Sequence, residues 1–255
     1  MKFALIGDGD ISHFHREAIK AVGGELVRLS DPKYDASFQL AKMAKGVKIW
    51  RGGLDPKFFV NIDYVVICSP SHLHRQQLKY GLTYSRGNTK FIVEKPYRLP
   101  WEDKIDNDRV NVVLQLRYLP SLPEKAKRVK VTAIRDKQYF QSWKGNARFT
   151  GGLLPMIFIH YIDLAQQLDA DFEGIVLPHG VQQRDIWVTD QLKIDIFHAD
   201  NQDLYNRLYQ DVVTGGGIKP TDVEYLHWTM EKNSDIYGYG KNGVGRRILI
   251  PRELL

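Results

Sequence analysis

Two positions in this chain carry the residue types that proton and hydride chemistry needs. Lys95 follows an acid, Glu94, and precedes Pro96 at the end of the apolar run Phe91-Ile92-Val93. His160 sits in a helical pattern one turn before Asp163. An ammonium group can steady negative charge developing on a reacting oxygen, and histidine titrates near neutrality and can take its proton. Each has an ordinary alternative. Lys95 can be a charged strand end facing water, and His160 a packed core histidine among Met156, Ile159 and Leu164.

What must position Lys95 is a parallel sheet. Phe91-Ile92-Val93 is apolar on both faces, as buried parallel strands are. Ligands of open α/β sheets lie beyond the carboxyl ends of the strands, which is where Glu94 and Lys95 fall. The amino terminus supplies the matching loop. Lys2 to Ile6 is a short apolar strand running into Gly7-Asp8-Gly9-Asp10-Ile11-Ser12 and a helix from about His13 to Val22. The first glycine permits a tight turn. The second admits a pyrophosphate to the backbone N–H groups and the positive end of the helix. Gly7, Gly9, Asp10 and Ile11 are therefore candidate cofactor contacts, although such a fingerprint alone is weak. A second strand, Glu25 to Leu29, ends near Asp31, at roughly the 20-residue spacing where a carboxylate accepts from a ribose 2′-hydroxyl. That carboxylate would repel a 2′-phosphate and favours NAD over NADP. Lys33 softens the preference, and Asp31 can equally be a turn residue before Pro32.

A further strand, Asp63 to Cys68, ends in Ser69-Pro70 ahead of a helix carrying His72 and His74. Gly7, Ser69 and Lys95 thus share one sheet edge, with Ser69, Pro70, His74 and Glu94 joining the expected cofactor contacts. The expected fold is α/β, a Rossmann-type doubly wound parallel sheet with a sixth strand from Val110 to Leu116. An α+β domain with a mostly antiparallel open sheet follows. The boundary is placed at Tyr118 to Pro123, giving residues 1–120 and 121–255. In the second part, strands are expected at Val129–Ile134, Gln138–Trp143, Asp185–Val188 and Gln191–Phe197. Helices are expected at Leu153–Leu168, Asp203–Val213 and Thr221–Lys232. Residues 233–255 read as a glycine-rich loop and a short strand at Arg247–Ile250.

At this point the chain resembles the Gfo/Idh/MocA oxidoreductases. The resemblance rests on the glycine loop, Cys68-Ser69-Pro70 and Glu94-Lys95-Pro96. It continues through Gln115-Leu116-Arg117-Tyr118, Gln141-Ser142-Trp143-Lys144-Gly145, Gly151-Gly152 and His160-Tyr161-Ile162-Asp163. The Leu-Gln-Leu-Arg and Ser-Trp-Lys-Gly segments look most like the UDP-N-acetylglucosaminuronate 3-dehydrogenases of bacterial surface-polysaccharide synthesis, such as lipopolysaccharide O-antigen. Arg207-Leu208-Tyr209 and Gly215-Gly216-Gly217-Ile218 also resemble that subgroup. The resemblance implies NAD as cofactor, Lys95 and His160 as catalytic residues, and oxidation of a sugar 3-hydroxyl. It implies assembly as a dimer or tetramer through the second sheet. Arg117, Lys144, Arg207 and Tyr209 are candidate substrate contacts, since arginine pairs well with phosphate or carboxylate. Each can also be surface charge. Met156 and Phe158 depart from the subgroup's polar residue and glycine. Phe158 is expected to narrow the space beside a nicotinamide. That motivates a second reading, a non-catalytic dinucleotide or nucleotide-sugar binder, and a third, reduction of a keto-sugar or imine.

Composition narrows the classes. At 255 residues the chain can bury a sizeable core. Its single cysteine, Cys68, excludes an intrachain disulfide framework and fits a reducing cytoplasm. No apolar run is long enough to span a bilayer. The net charge of +6 raises nucleic-acid binding as an option. The densest cluster, Lys125, Lys127, Arg128 and Lys130, lacks the aromatic residues that stack bases, so it reads as a solvated face. No Cys/His set has metal-ligand spacing.

Overall fold

The computed structural model describes residues 1–36, 46–51, 53–120, 122–135, 137–152, 154–178, 186–189, 193–194, 201–226 and 247–249. Two compact units divide it. The first comprises Met1–Arg98, Glu102–Val113 and Tyr205–Asp222; the second comprises Leu99–Trp101, Leu114–Leu204 and Val223–Leu255. This departs from the single cut expected at residue 120, because residues 205–222 return to the first unit.

The first unit is built on a six-stranded sheet. In chain order its strands are β1 (Lys2–Ile6), β2 (Glu25–Ser30), β3 (Lys48–Trp50), β4 (Tyr64–Ile67), β5 (Lys90–Val93) and β6 (Val110–Val112). Their spatial order is β3-β2-β1-β4-β5-β6, and every neighbouring pair is parallel. This is the doubly wound arrangement, with the strand order reversing beside β1. The central strands are continuous apolar runs: all four residues of β4 are buried, as are Phe91, Ile92 and Val93 of β5. Helix Ser12–Ala21 turns Ser12, His15, Ala18 and Ile19 inward at helical spacing. Helix Ser71–Tyr84 does the same with Ser71, His74, Leu78 and Gly81.

Three features of this sheet differ from expectation. Strand β3 was not foreseen; the brief alternation at Lys48-Ile49-Trp50 is its only local signal. β6 ends at Val112, and the expected continuation through Leu116 bends into a 3-10 turn at Gln115–Tyr118. The connection from β5 to β6 contains no helix. Residues 217–219 run beside β6 instead. The Val112 N–H donates to the Ile218 carbonyl at 2.8 Å, and Lys219 Nζ donates to Asn111 Oδ1 at 2.8 Å.

The second unit contains a five-stranded sheet of β7 (Arg128–Arg135), β8 (Asp171–Pro178), β9 (Ile186–Thr189), β10 (Lys193–Ile194) and β11 (Arg247–Leu249), in the order β10-β9-β7-β8-β11. It is mixed rather than mostly antiparallel. β7 pairs with β8 and β8 with β11 in parallel, while β9 pairs antiparallel with β7 and β10. The parallel β7–β8 step follows from the crossover through helix Ile159–Gln167, which antiparallel neighbours would not need. Gln138–Trp143, expected as a strand, forms helix Lys137–Gln141 and then a 3-10 turn at Trp143–Gly145. Helix Asn201–Val213 matches the expected one. Of the expected helix at Thr221–Lys232, only the part to Leu226 lies within the described residues. Most of Gln191–Phe197 and of 233–255 lies outside them.

Candidate functional site

The glycine loop begins where β1 and β4 end side by side. Gly7 has φ +92°, and a Cβ there would lie 2.6 Å from the Ser69 backbone nitrogen. Only glycine fits both the conformation and the approach. Gly9 is different: a Cβ there would meet nothing within 4 Å. Gly9 and Asp10 are exposed, and Ile11 directly precedes helix Ser12–Ala21. An open glycine face leading into a ten-residue helix gives a pyrophosphate room and N–H donors, so the residues present fit a dinucleotide.

Asp31 stands at the end of β2 as the spacing required. Its Oδ2 accepts the Asp8 N–H at 2.6 Å and its Oδ1 accepts the Lys33 N–H at 2.9 Å. Turn residue and ribose acceptor are therefore compatible roles, because each carboxylate oxygen retains a second acceptor site. Asp8 is a residue that sequence reasoning passed over. Its Oδ1 accepts from Ser12 Oγ at 2.8 Å and Arg16 at 2.5 Å. Its Oδ2 accepts from the Tyr34 hydroxyl and pairs with Lys33 Nζ at 2.9 Å. Partial burial pushes the Asp8 carboxyl up, but hydrogen bonds from Tyr34, Arg16, Lys33 and Ser12 outweigh it and hold it well below the usual range. The only sequence signal was its position between two glycines.

At the end of β5 the two charged residues part company. Lys95 is half-buried, and its bond to Pro96 is cis. Glu94 turns inward and is 6% exposed. Its Oε1 accepts from His15 Nε2 at 3.1 Å and from the Tyr205 hydroxyl at 2.6 Å. The Tyr209 hydroxyl completes the group, hydrogen-bonded to His15 Nδ1 at 2.8 Å. Burial pushes the Glu94 carboxyl up; hydrogen bonds from His15 and Tyr205, with the nearby charge of Lys95, outweigh it and hold it at about 2. Glu94, expected among the cofactor contacts, spends its carboxylate on this core network. Tyr209, expected as a substrate contact, is fully buried and stacks near Phe3, so it is a core residue.

His74 is also internal. Nδ1 lies 2.8 Å from the Pro96 carbonyl oxygen and Nε2 lies 2.6 Å from that of Ser69. It ties the Ser69 loop to the turn after Lys95 and does not face a cofactor. Burial lowers its pKa, against the two carbonyls, which favour the charged ring. Ser69 Oγ donates to Gln77 Oε1 at 2.6 Å, and Pro70 starts the helix beside it. Cys68 is buried, and burial raises its thiol pKa well above 9.0, which fits packing and not nucleophilic chemistry. Arg207 is exposed on helix Asn201–Val213.

In the second unit, His160 is buried near the start of helix Ile159–Gln167, directly after a π-helical turn at Leu154–Phe158. Before it, Gly151 is left-handed at φ +78°, and a Cβ there would lie 2.6 Å from Pro100. Asp163, one turn after His160, takes a bidentate pair from Arg117, Nε to Oδ2 at 2.8 Å and Nη2 to Oδ1 at 2.5 Å, and accepts from the Tyr225 hydroxyl at 2.5 Å. Burial would lower the Arg117 pKa, but Asp163 raises it beyond its ordinary value. Arg117 is thus committed to a structural pair. Phe158 is fully buried and meets Phe172 edge-to-face at 5.7 Å, so its bulk fills this unit's own core. Lys144 lies half-buried, 5.9 Å from the Tyr139 ring centre. Among the described residues, no group of acids, histidines and cysteines is arranged to hold a metal. No helix among them is long and apolar enough to cross a membrane.

No family model matches the chain. Solved structures do. The WlbA (WbpB) dehydrogenase from Thermus thermophilus, in complex with NAD and alpha-ketoglutarate, aligns with a TM-score of 0.76 at 21% identity, over 97% of this chain and 99% of its own. The WlbA dehydrogenase from Bordetella pertussis, in complex with NADH and UDP-GlcNAcA, is 27% identical, with a TM-score of 0.55 over 67% of this chain and 58% of its own. The scyllo-inositol dehydrogenase from Lactobacillus casei, with bound NAD(H) and scyllo-inositol, aligns at 15% identity and a TM-score of 0.63, over 90% of this chain and 94% of its own. The chain therefore shares its fold with WlbA (WbpB) dehydrogenases and with an inositol dehydrogenase.

Proposed function

We propose that this chain is an NAD-dependent dehydrogenase of a nucleotide sugar, oxidising the 3-hydroxyl of UDP-N-acetylglucosaminuronic acid or a close relative. The observation that carries the reading is the joint likeness to WlbA dehydrogenases crystallised with NAD or NADH and UDP-GlcNAcA. The glycine loop, the open face of Gly9 and the placement of Asp31 support the dinucleotide half of it.

When bound, a nicotinamide ring supplies the hydride acceptor. The chain's own residues manage the proton and the charge. His160 accepts the proton of the sugar hydroxyl, and Lys95 donates a hydrogen bond to the oxygen as negative charge builds on it. Glu94 and His74 hold the backbone on either side of Lys95: Glu94 Oε2 accepts the Lys95 N–H at 3.2 Å, and His74 contacts the Pro96 carbonyl. Lys144 and Arg207 remain candidates for the anionic parts of the substrate. Assembly as a dimer or tetramer through the second unit's sheet belongs to the same proposal. The inward placement of Phe158 takes away one of the two residues that motivated a non-catalytic binder; Met156 is the other.

The test is incubation of the purified chain with NAD and UDP-N-acetylglucosaminuronic acid under single-turnover conditions, following absorbance of the reduced nicotinamide. Formation of one equivalent per active chain supports the reading. Binding of both ligands with no reduced nicotinamide, across a panel of UDP-sugar acids, would reject it.

A further inference from the structure

Asp31 is the acid whose spacing points to dinucleotide discrimination, yet a second acid sits closer to the available cations. Asp8 lies inside the glycine loop, and its N–H is held by Asp31 at 2.6 Å. The carboxylate of Asp8 then gathers Ser12 and Arg16 on Oδ1, and Tyr34 and Lys33 on Oδ2. A carboxylate has about four acceptor sites, so that of Asp8 is saturated. It has none to offer a ribose. Asp31, by contrast, accepts one backbone N–H on each oxygen and keeps a site on each.

The two acids therefore divide the task. We propose that the Asp8 carboxylate is a specificity-determining group that excludes adenine dinucleotides bearing a 2′-phosphate, by holding Arg16 and Lys33 in ion pairs beside the Asp31 ribose acceptor. The inference rests on the dinucleotide reading above. Arg16 and Lys33 are the cations that a 2′-phosphate would draw on. The four charged groups, Asp8, Asp31, Arg16 and Lys33, sum to zero. An incoming phosphate gains those cations only by stripping them from a carboxylate whose side chain is 8% exposed. Removing the Asp8 charge frees Arg16 from its ion pair and leaves Lys33 only its bond to the Asp8 backbone carbonyl, so both cations can turn toward the ligand while the Asp31 ribose acceptor is untouched.

The experiment is calorimetric titration of the native chain and Asp8→Asn with NAD and NADP, and with the fragments 5′-ADP and adenosine 2′,5′-bisphosphate. Asparagine keeps the size of the side chain; its amide oxygen still accepts from one of the Ser12 and Tyr34 hydroxyls, and its NH2 can donate to the oxygen of the other. The ratio of NADP to NAD affinity is expected to rise about tenfold or more in Asp8→Asn, with the same trend in the fragments. The further change Lys33→Gln should take back most of that rise. A ratio within about threefold of native would overturn the proposal. If Asp8→Asn does not fold, Lys33→Gln alone decides. It leaves Asp8 less compensated, so the ratio should fall about threefold or more, and an unchanged ratio overturns the proposal. NAD binding with unaltered discrimination removes this inference alone. Failure of the native chain to bind any of these ligands removes the dinucleotide reading and this inference together.

Discussion

The Tyr205 hydroxyl donates a 2.6 Å hydrogen bond to Glu94 Oε1 across 111 residues of sequence. That contact joins the end of β5, where Lys95 begins, to helix Asn201–Val213. His15 shares the same carboxylate oxygen from helix Ser12–Ala21. Three separated segments thus converge on one buried negative charge, and the backbone carrying Lys95 is anchored by it.

Acid should weaken the protein through this group. The folded state holds Glu94 at about 2, below its ordinary value of 4.5, so an unfolded chain takes up the proton first. The resulting stabilisation is complete above the unfolded value and drains away as pH falls from about 4.5 toward 2. Asp8, also depressed, adds in the same direction. Thermal melts across this range should show a steep acid limb in the native chain and a shallower one in Glu94→Gln, which should also melt lower at neutral pH. Parallel limbs would assign the acid sensitivity elsewhere. Tyr205→Phe should cost roughly 1.5–3 kcal/mol, the usual contribution of a hydrogen bond to a charged group.

The two loop glycines should separate folding from binding. Gly7→Ala meets both a positive φ and the Ser69 backbone, and the dihedral strain alone costs about 1–3 kcal/mol. Gly9→Ala meets nothing, so its melting temperature should stay near native while NAD affinity falls. Thermal unfolding with and without NAD reads both effects. A destabilised Gly9→Ala would contradict the open face described for it.

Breaking the Arg117–Asp163 pair should be costly even though neither partner is assigned a chemical step. The Asp163 side chain is 1% exposed, and Arg117→Met leaves it the Tyr225 hydroxyl but no cation from Arg117. A loss of about 3–5 kcal/mol is expected, measured by urea unfolding. Adding Asp163→Leu should recover part of it, because an unpaired buried charge is what makes the single change expensive.

Lys95→Met and His160→Asn should each lower turnover with NAD and the UDP-sugar acid by about 10²–10⁴-fold. The thermal shift induced by NAD should persist in both. The double variant should be little worse than the slower single one if the two groups act on the same proton transfer. Unchanged turnover in either single variant would remove that residue from the proposed mechanism.

Local sequence determined the elements that hold the loops. Apolar runs such as Tyr64 to Ile67 admit little besides a buried parallel strand, and Gly7 marks a turn where a side chain has no space. The placement of Asp31 just after β2 was recoverable from spacing, because a strand of known rise delivers its last residue to a known edge. Side-chain destinations were decided only in three dimensions. Glu94 and Lys95 are adjacent just beyond β5, yet His15 and Tyr205 hold the Glu94 carboxylate in the core while Lys95 stays half-buried. Asp163 shares a helix face with His160 in sequence, but a guanidinium from Arg117 offers two charge-assisted hydrogen bonds and takes it. Tyr209 and residues 205–222 pack with the first unit although they follow the second in the chain. Periodicity reports which face of an element is apolar; it carries no information about which distant donor will reach a buried carboxylate first.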